Sequence, residues 1–522
     1  MSLPTGFTVR VHDDVETMDQ GRLLVGGSPL RAVRLSPRGS SMVDDGELRV
    51  LDAVGGLVAD RLLEANIALP VLCDDGQARA DQLTVVVPVR DRPEQLGRAL
   101  AGLCGQAVVV VDDASHAPRA VAAVARAHRA EILHLDHNVG PAAARNAGLA
   151  SVTTPYVAFV DSDVTVTADT LLGLTAHFAD PRVALVAPHV RGRPVSANPR
   201  WFERYDEAAP ALGLGERAGV VRPGAAVAWL PSACLVARTQ PLTDEPIVGF
   251  DGRLRVGEDV DLVWRLVAAG HRVRYDPAFE AHHDARPTLR AWMSRKFVYG
   301  TGGAELAERH PDNVVTAVLS PAMGLTALAL LARRPWSAPL ALVGLARSTQ
   351  VLHRSLPDIP GRGGLAARLS LRGLGWSLRQ ESALILRHWW PLALAASLTS
   401  RRARRILGSA LVVDLVAAQV ENPELDTALG FAGRRLDDLA YGAGLWCGAL
   451  RQVSLRCLAI RVVTRSRTKM ESTDGADVAN ARKARSDRLI GSGRLRRIRG
   501  AVVRPMTSRS TLSGSGPQAG RS

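Results

Sequence analysis

The chain has 522 residues, 47% hydrophobic and 22% charged, a composition that excludes a disordered protein, and its 4% aromatic content argues against a base-stacking platform for single-stranded nucleic acid. Lysine and arginine outnumber aspartate and glutamate by 65 to 51, a net charge of +14, but much of that excess lies beyond Arg401 and Arg461 and says little about a substrate. Five dispersed cysteines without CxxC spacing exclude a disulfide framework and a thiolate metal site; with no secretory pattern in Met1–Asp14, the expected compartment is the cytoplasm.

Residues 1–80 read as a small α+β module. Apolar stretches at Phe7–Val11, Arg22–Val25 and Leu30–Leu35, with a Gly26-Gly27 turn, predict strands, and periodicity predicts helices over Glu47–Leu57 and Val58–Ala65. The arrangement is winged-helix-like; an extension that only packs on the next domain fits it equally.

Residues 81–311 alternate between valine-rich runs and helical patterns. The runs are Leu83–Val89, Ala107–Val111, Glu131–Leu135, Tyr156–Val160 and Val183–Ala187; the helices are Glu94–Leu103, Arg119–His128, Ala142–Leu149 and Ala168–Phe178. This α/β alternation predicts a parallel sheet covered on both faces, with ligands outside the carboxyl ends of the strands.

Residues 312–462 become helical and apolar. Asn313–Ala332 has no charged side chain and approaches the roughly 20 residues that cross a bilayer, although Pro321 and Gly324 interrupt it. Trp389-Trp390 and the cluster Arg401, Arg402, Arg404 and Arg405 flank further apolar segments, as at a membrane interface. A buried helical domain gives the same pattern, so contact with the cytoplasmic face of the membrane stays open. Residues 463–522, rich in arginine, serine and glycine, predict a disordered basic tail.

The candidate chemistry sits at strand ends. The first strand of the α/β region ends in Pro88-Val89-Arg90-Asp91-Arg92, the second in Val111-Asp112-Asp113-Ala114-Ser115 and the fourth in Phe159-Val160-Asp161-Ser162-Asp163. Such ends place several carboxylates along one rim, which is costly unless cations or donors offset the charge. Asp161-x-Asp163 can aim two hard oxygens at one Mg²⁺ or Mn²⁺, a cation that neutralises a diphosphate leaving group. As an isolated motif, Asp-Ser-Asp is a common turn; its place in this series argues for the site. Asn138-Val139-Gly140 followed by Ala144-Arg145-Asn146 opens a helix, a ready anion site, though Gly140 also caps a turn and Arg145 also suits a solvent face. Gly257-Glu258-Asp259-Val260-Asp261 begins another helix, where acids suit the positive end and Asp259 suits a general base. His282-His283-Asp284 follows the run Val273–Phe279. One histidine fits the metal site or the diphosphate, and the sequence does not separate the two.

Together these residues resemble the family 2 glycosyltransferases of the GT-A fold, a match in the order of several motifs across some 200 residues. The resemblance implies that Asp91 and Asp113 contact the nucleotide, with Arg145 near its phosphate. It further implies that Asp161 and Asp163 hold the metal-diphosphate and that Asp259 deprotonates the acceptor; His283 is the candidate third ligand to that metal, with His282 the alternative. Processive synthases of the family carry Gln-x-x-Arg-Trp after the base; here Trp292–Thr301 reads Trp-Met-Ser-Arg-Lys-Phe-Val-Tyr-Gly-Thr, which disfavours a polymer-extruding enzyme. Arg22-Leu23-Leu24-Val25-Gly26-Gly27-Ser28-Pro29-Leu30-Arg31, the Leu35-Ser36-Pro37 step and the helical C-terminal region are similar to the glycosyltransferases of the mycofactocin system. That likeness implies transfer of β-linked glucose from UDP-glucose to a peptide-derived redox cofactor. Two other readings compete: a polyprenyl-phosphate or other lipid-acceptor sugar transferase, and a non-enzymatic membrane or nucleic-acid adaptor. The adaptor leaves the ordered acids unexplained, since acids repel phosphate.

Overall fold

The computed structural model describes residues 2–73, 76–462 and the strand Glu471–Ser472. Its centre is a nine-stranded sheet, which in spatial order runs Val164–Thr165, Arg272–Asp284, Val183–Arg193, Cys234–Arg238, Tyr156–Val160, Leu83–Val89, Ala107–Asp112 and Glu131–His134, with Gly219–Val221 paired on Arg272–Asp284.

The strands Tyr156–Val160, Leu83–Val89, Ala107–Asp112 and Glu131–His134 are mutually parallel, as the alternating pattern predicts. The sheet as a whole is mixed, which corrects the parallel expectation. Cys234–Arg238 enters antiparallel between Tyr156–Val160 and Val183–Arg193. It arrives through loop rather than a crossover helix, so no handedness rule forces it parallel.

The chain leaves Leu83–Val89 towards Ala107–Asp112 and Glu131–His134, then returns to the other side of Leu83–Val89 as Tyr156–Val160. Strand order reverses between those two neighbours, and such a switch point opens a crevice at the carboxyl ends. Alternate residues serve opposite faces. Val85, Val87 and Val89 pack with Leu96, Leu100 and Val121 on one face, while Val86, Val109 and Val111 pack with Ala144, Leu149 and Leu262 on the other. Three of the helices, Pro93–Ala101, Pro118–Ala127 and Pro141–Ser151, open on proline, where the missing N–H has no intrahelical partner to lose.

Residues 2–73 form the expected α+β module, with one correction. Glu47–Arg49 is a strand beside Thr8–Val11, and the helix is Ala53–Glu64. The Asp52 carboxylate accepts the Gly55 N–H at 2.7 Å and so fixes the helix start, while Leu48 is drawn into the core with Val9 and Leu62. The module is tied to the sheet. Asn66 donates to the Val220 carbonyl at 3.0 Å and accepts the Val220 N–H at 2.6 Å, and buried Arg272 reaches Glu64 at 2.7 Å and Asp60 at 3.0 Å while also pairing with Asp180.

The candidate span Asn313–Ala332 divides into a strand, Ala317–Leu319, paired with Ile460–Val462, and a twelve-residue helix, Pro321–Ala332. Ser320 caps the Met323 N–H and Pro321 starts the helix there, which breaks the long apolar run. Among the described residues no helix is long and apolar enough to cross a membrane. The helices Ser337–Ser355, Arg362–Ala383, Trp390–Thr399, Arg401–Glu421 and Thr427–Arg451 complete this region. Apart from Glu471–Ser472, the expected basic tail over 463–522 lies outside the described residues.

Candidate active site

At the switch point the strand ends open into a cleft of about 860 Å³ walled by Asp91, Asp113, Asp161 and Asp163 together with Arg90, Arg92, Arg253, Arg255 and Arg295. The volume suits a ligand of nucleotide-sugar size. Acids alone would repel one another; the interleaved guanidiniums make the rim tolerable and leave cationic groups free for an anion.

Asp91 lies in the left-handed region, φ 55°, which costs a non-glycine residue about 1 kcal/mol or more and is held by its neighbours. Its N–H donates to Ser115 Oγ at 2.9 Å, and its carboxylate accepts the His116 N–H at 2.6 Å and meets His116 Nδ1 at 2.7 Å. Those His116 hydrogen bonds hold the Asp91 carboxyl below its ordinary value.

Asp113 is spent on the backbone. Its two oxygens accept the Val139 and Gly140 N–H groups at 2.7 and 3.0 Å, clipping down the loop that starts the helix Pro141–Ser151. Gly140 sits at φ 87°, a conformation that favours glycine.

Arg145 lies beneath the rim and only 2% exposed. Its Nη2 donates to Asp161 at 2.5 Å and its Nη1 to Glu258 at 3.1 Å. Burial opposes its charge, but Asp161 and Glu258 outweigh burial and keep it protonated. Arg145 therefore joins the Asp-x-Asp turn to the Glu-Asp helix, while Arg90, Arg92, Arg253, Arg255 and Arg295 line the cleft itself.

Asp163 is buried too. Arg92 Nη1 is 2.6 Å from it, Arg286 Nη2 3.1 Å and His283 Nε2 3.8 Å. Burial would raise its pKa, yet His283, Arg286 and Arg92 together hold it well below the usual carboxylate range. Val164–Thr165 pairs with the end of Arg272–Asp284, so that Val164 faces His283 and Thr165 faces His282. This register brings His283 beside Asp163, and the alternation of a strand turns His282 to the other face. Burial lowers the His283 pKa against the opposing pull of the Asp163 carboxylate. Asp161, Asp163 and His283 form no preset ligand cage: among the described residues no three His, Cys, Asp or Glu side chains are grouped to hold a metal.

Asp259 does not wall the cleft among the described residues. It opens the helix Glu258–Ala268, where its carboxylate accepts the Ser232 N–H at 3.0 Å and the Val260 N–H at 2.8 Å. The neighbouring carbonyl, of Ala233, accepts the Asp161 N–H at 2.9 Å, so Asp259 sits at the same end of the sheet as Asp161. Burial and the charge of Glu258 push the Asp259 carboxyl up to about 7, a value matched to proton transfer near neutral pH.

The family model described as glycosyl transferase family 2 matches residues 84–219, and that for glycosyl transferase family group 2 matches residues 156–400. Over 479 residues the chain is 40% identical to a protein named pre-mycofactocin glycosyltransferase in Mycobacterium tuberculosis, strains CDC 1551 / Oshkosh and ATCC 25618 / H37Rv, covering 88% of this chain and 99% of that one. The chain belongs to the family 2 glycosyltransferases. It is also 28% identical over 219 residues to the succinoglycan biosynthesis protein ExoO of Rhizobium meliloti (strain 1021), covering 38% of this chain and 60% of that protein. Likeness to solved structures is remote. A mannosyltransferase of Pyrobaculum calidifontis, solved with GDP-Man and Mn²⁺, is 20% identical at a TM-score of 0.34, covering 66% of this chain and 87% of that one. The S. aureus TarS 1-349 structure is 15% identical at 0.33, covering 72% and 92%.

For a glycosyltransferase of the GT-A fold, the sequence reading had the acids and missed most of the cations. Arg92 lies one residue from Asp91, and Arg295 lies inside the Trp292–Thr301 segment, yet neither stands in a motif of its own. Arg286 follows the His282-His283 pair closely enough to be found once the strand register is known. Arg253 and Arg255 are on a loop, and nothing in their spacing announces a cleft.

Proposed function

We propose that this glycosyltransferase moves a hexose, glucose from UDP-glucose, to a hydroxyl of a peptide-derived acceptor of the mycofactocin type, with inversion, and extends the product as a β-linked oligosaccharide. The relative named for pre-mycofactocin supports the acceptor class. One observation carries the chemistry: Asp161 and Asp259 lie at one sheet end, linked through Arg145 and Glu258.

In this reading Asp91 and the loop clipped by Asp113 receive the nucleoside, and Arg92, Arg253, Arg255 and Arg295 face the diphosphate. Asp259 accepts the proton of the acceptor hydroxyl while that oxygen bonds to the anomeric carbon from the face opposite the departing UDP. The sugar–phosphate C–O bond breaks, and its electron pair leaves on the diphosphate.

The carboxylate oxygens of Asp161 and Asp163 with the imidazole of His283 make a donor set of the kind that fits Mg²⁺ or Mn²⁺. Arg92, Arg145 and Arg286 already pair with those carboxylates, so a cation would take its place there in competition with guanidiniums. Such a cation would supply Lewis-acid neutralisation of the leaving diphosphate. Residues 81–311 carry the transfer, 1–80 and 312–462 flank it, and the reading keeps the enzyme in the cytoplasm.

The test is a thermal-shift panel of nucleotide sugars with and without Mn²⁺, followed by transfer assays with Asp259→Asn. A donor should raise the melting midpoint according to its concentration over its affinity. Transfer at the wild-type rate by Asp259→Asn would sink the base assignment.

A further inference from the structure

The helix Trp390–Thr399 has no charged side chain and buries only Ser397. Leu392, Leu394 and Leu398 are 57%, 51% and 77% exposed. Water disfavours such a surface in proportion to its apolar area, and a contiguous apolar patch of this kind marks an interaction site.

The helix is not a loose end. On its N-terminal side the Trp389 indole N–H donates to the Leu458 carbonyl at 3.1 Å, the Trp446 indole N–H to the His388 carbonyl at 2.8 Å, and Arg387 reaches Asp438 at 2.8 Å. On its C-terminal side Arg404 donates to the Ser397 carbonyl at 2.8 Å and Ser400 Oγ caps the Ala403 N–H. The fold therefore holds the leucines outward.

Four arginines follow at once. Arg401, Arg402, Arg404 and Arg405 are exposed, with no acid in that first turn. Arg401, Arg402 and Arg405 make no ion pair among the described residues. At 1.5 Å per residue the helix is about 15 Å long, half of a hydrocarbon core of about 30 Å. It has the length to lie in one leaflet and not to cross.

We propose that Trp390–Thr399 and the arginine quartet form a docking surface for an anionic lipid bilayer. Acyl chains take the leucines, and headgroup phosphates take the guanidiniums. Charge complementarity selects this occupant: the two signals stand side by side, and stable attachment without a spanning helix takes two. The surface is independent of the donor and acceptor assigned above.

The experiment is flotation of the full-length protein with phosphatidylcholine vesicles, with and without phosphatidylglycerol. The wild-type chain should float with the anionic vesicles, and less so in high salt. Leu392→Asp with Leu394→Asp should weaken that binding about a hundredfold, and Arg401→Gln or Arg402→Gln about fivefold each. The arginines beyond residue 463 act equally in all these proteins, so the comparison isolates the helix. An unchanged melting midpoint shows that the leucine variant folds, since both substituted side chains are exposed. Equal flotation of wild type and the leucine variant overturns the proposal. So does a wild-type chain that ignores anionic vesicles, or one that proves to be a dimer split by the same two substitutions and does not float.

Discussion

Two regions of the molecule gather charge, in opposite ways. At the cleft, Asp91, Asp161 and Asp163 and the guanidiniums of Arg92, Arg253, Arg255 and Arg295 face a common space. Where the helix Leu289–Thr301 meets Thr427–Arg451, charges are sealed from water and answer one another. Lys296, 3% exposed, lies 3.2 Å from Asp206 and 2.9 Å from Asp437, while Arg387 and Arg435 each reach Asp438 at 2.8 Å. The inventories are alike and the roles differ. A cluster whose charges are matched inside the protein fixes geometry; one that turns guanidiniums to a cavity, with Arg92 and Arg253 on carboxylates and Arg255 and Arg295 without a carboxylate partner among the described residues, is built for a ligand. The two meet in consecutive residues, because Arg295 walls the cleft and Lys296 enters the sealed network.

The sharpest way to break this contrast is at the cleft. Asp259→Asn should lower the transfer rate by about 10²–10⁴-fold with UDP binding retained, as read by kinetics and calorimetry. Next, Arg145→Met leaves buried Glu258 and the cleft-lining Asp161 without their shared cation and should cost about 3 kcal/mol of stability, measured by denaturant unfolding. It also tests whether a cleft carboxylate depends on a charge below it. Lys296→Met probes the sealed network, leaves Asp206 with the Trp292 indole N–H and Asp437 with Arg387, and should destabilise by a smaller amount, about 2 kcal/mol. Because Lys296 lies outside the cleft, its surviving folded fraction should keep kcat and change KM for the donor only through the neighbouring Arg295.

The pH dependence is a milder probe. With the Asp259 carboxyl at about 7, kcat/KM should fall below that pH as the base takes a proton, and level off above it. Its contribution to stability has the opposite sense. A carboxyl whose folded pKa is raised binds its proton more tightly in the native state, so stability drops as pH rises through the range up to about 7. Asp259→Asn should remove both dependences.

Smallest is Gly444→Ala. A Cβ there would run into the Phe297 carbonyl and Gly300 Cα, where the two helices approach closely. Overpacking of this kind costs about 1–3 kcal/mol and should appear as a lower melting midpoint.

What the sequence discloses follows from which interactions are local. Leu83–Val89 and Tyr156–Val160 were legible because continuous valine-rich runs suit buried parallel strands, and their terminal acids mark the rim without knowledge of the sheet. Cys234–Arg238 was not legible, since an antiparallel strand reached by a loop has no partner helix in sequence. Glu47–Arg49 was read as helix because three residues are too few to show alternation against a following helix, and only pairing with Thr8–Val11 decides it. Arg145 shows the limit for sites. Its position at a helix start suggests an anion contact, whereas its bonds to Asp161 and Glu258, residues 16 and 113 positions away, depend on tertiary structure alone.

The attachment of Asn66 and Arg272 has a practical bearing on how this enzyme is to be handled. Cutting the chain before Leu83 would remove Asp60, Glu64 and Asn66 at one stroke, leaving Arg272 with Asp180 alone of its three carboxylate partners and the Val220 amide without its side-chain acceptor. A shortened catalytic fragment should therefore be less stable than the whole chain, and any assay of the first eighty residues' purpose calls for point changes on their outer surface in the intact polypeptide.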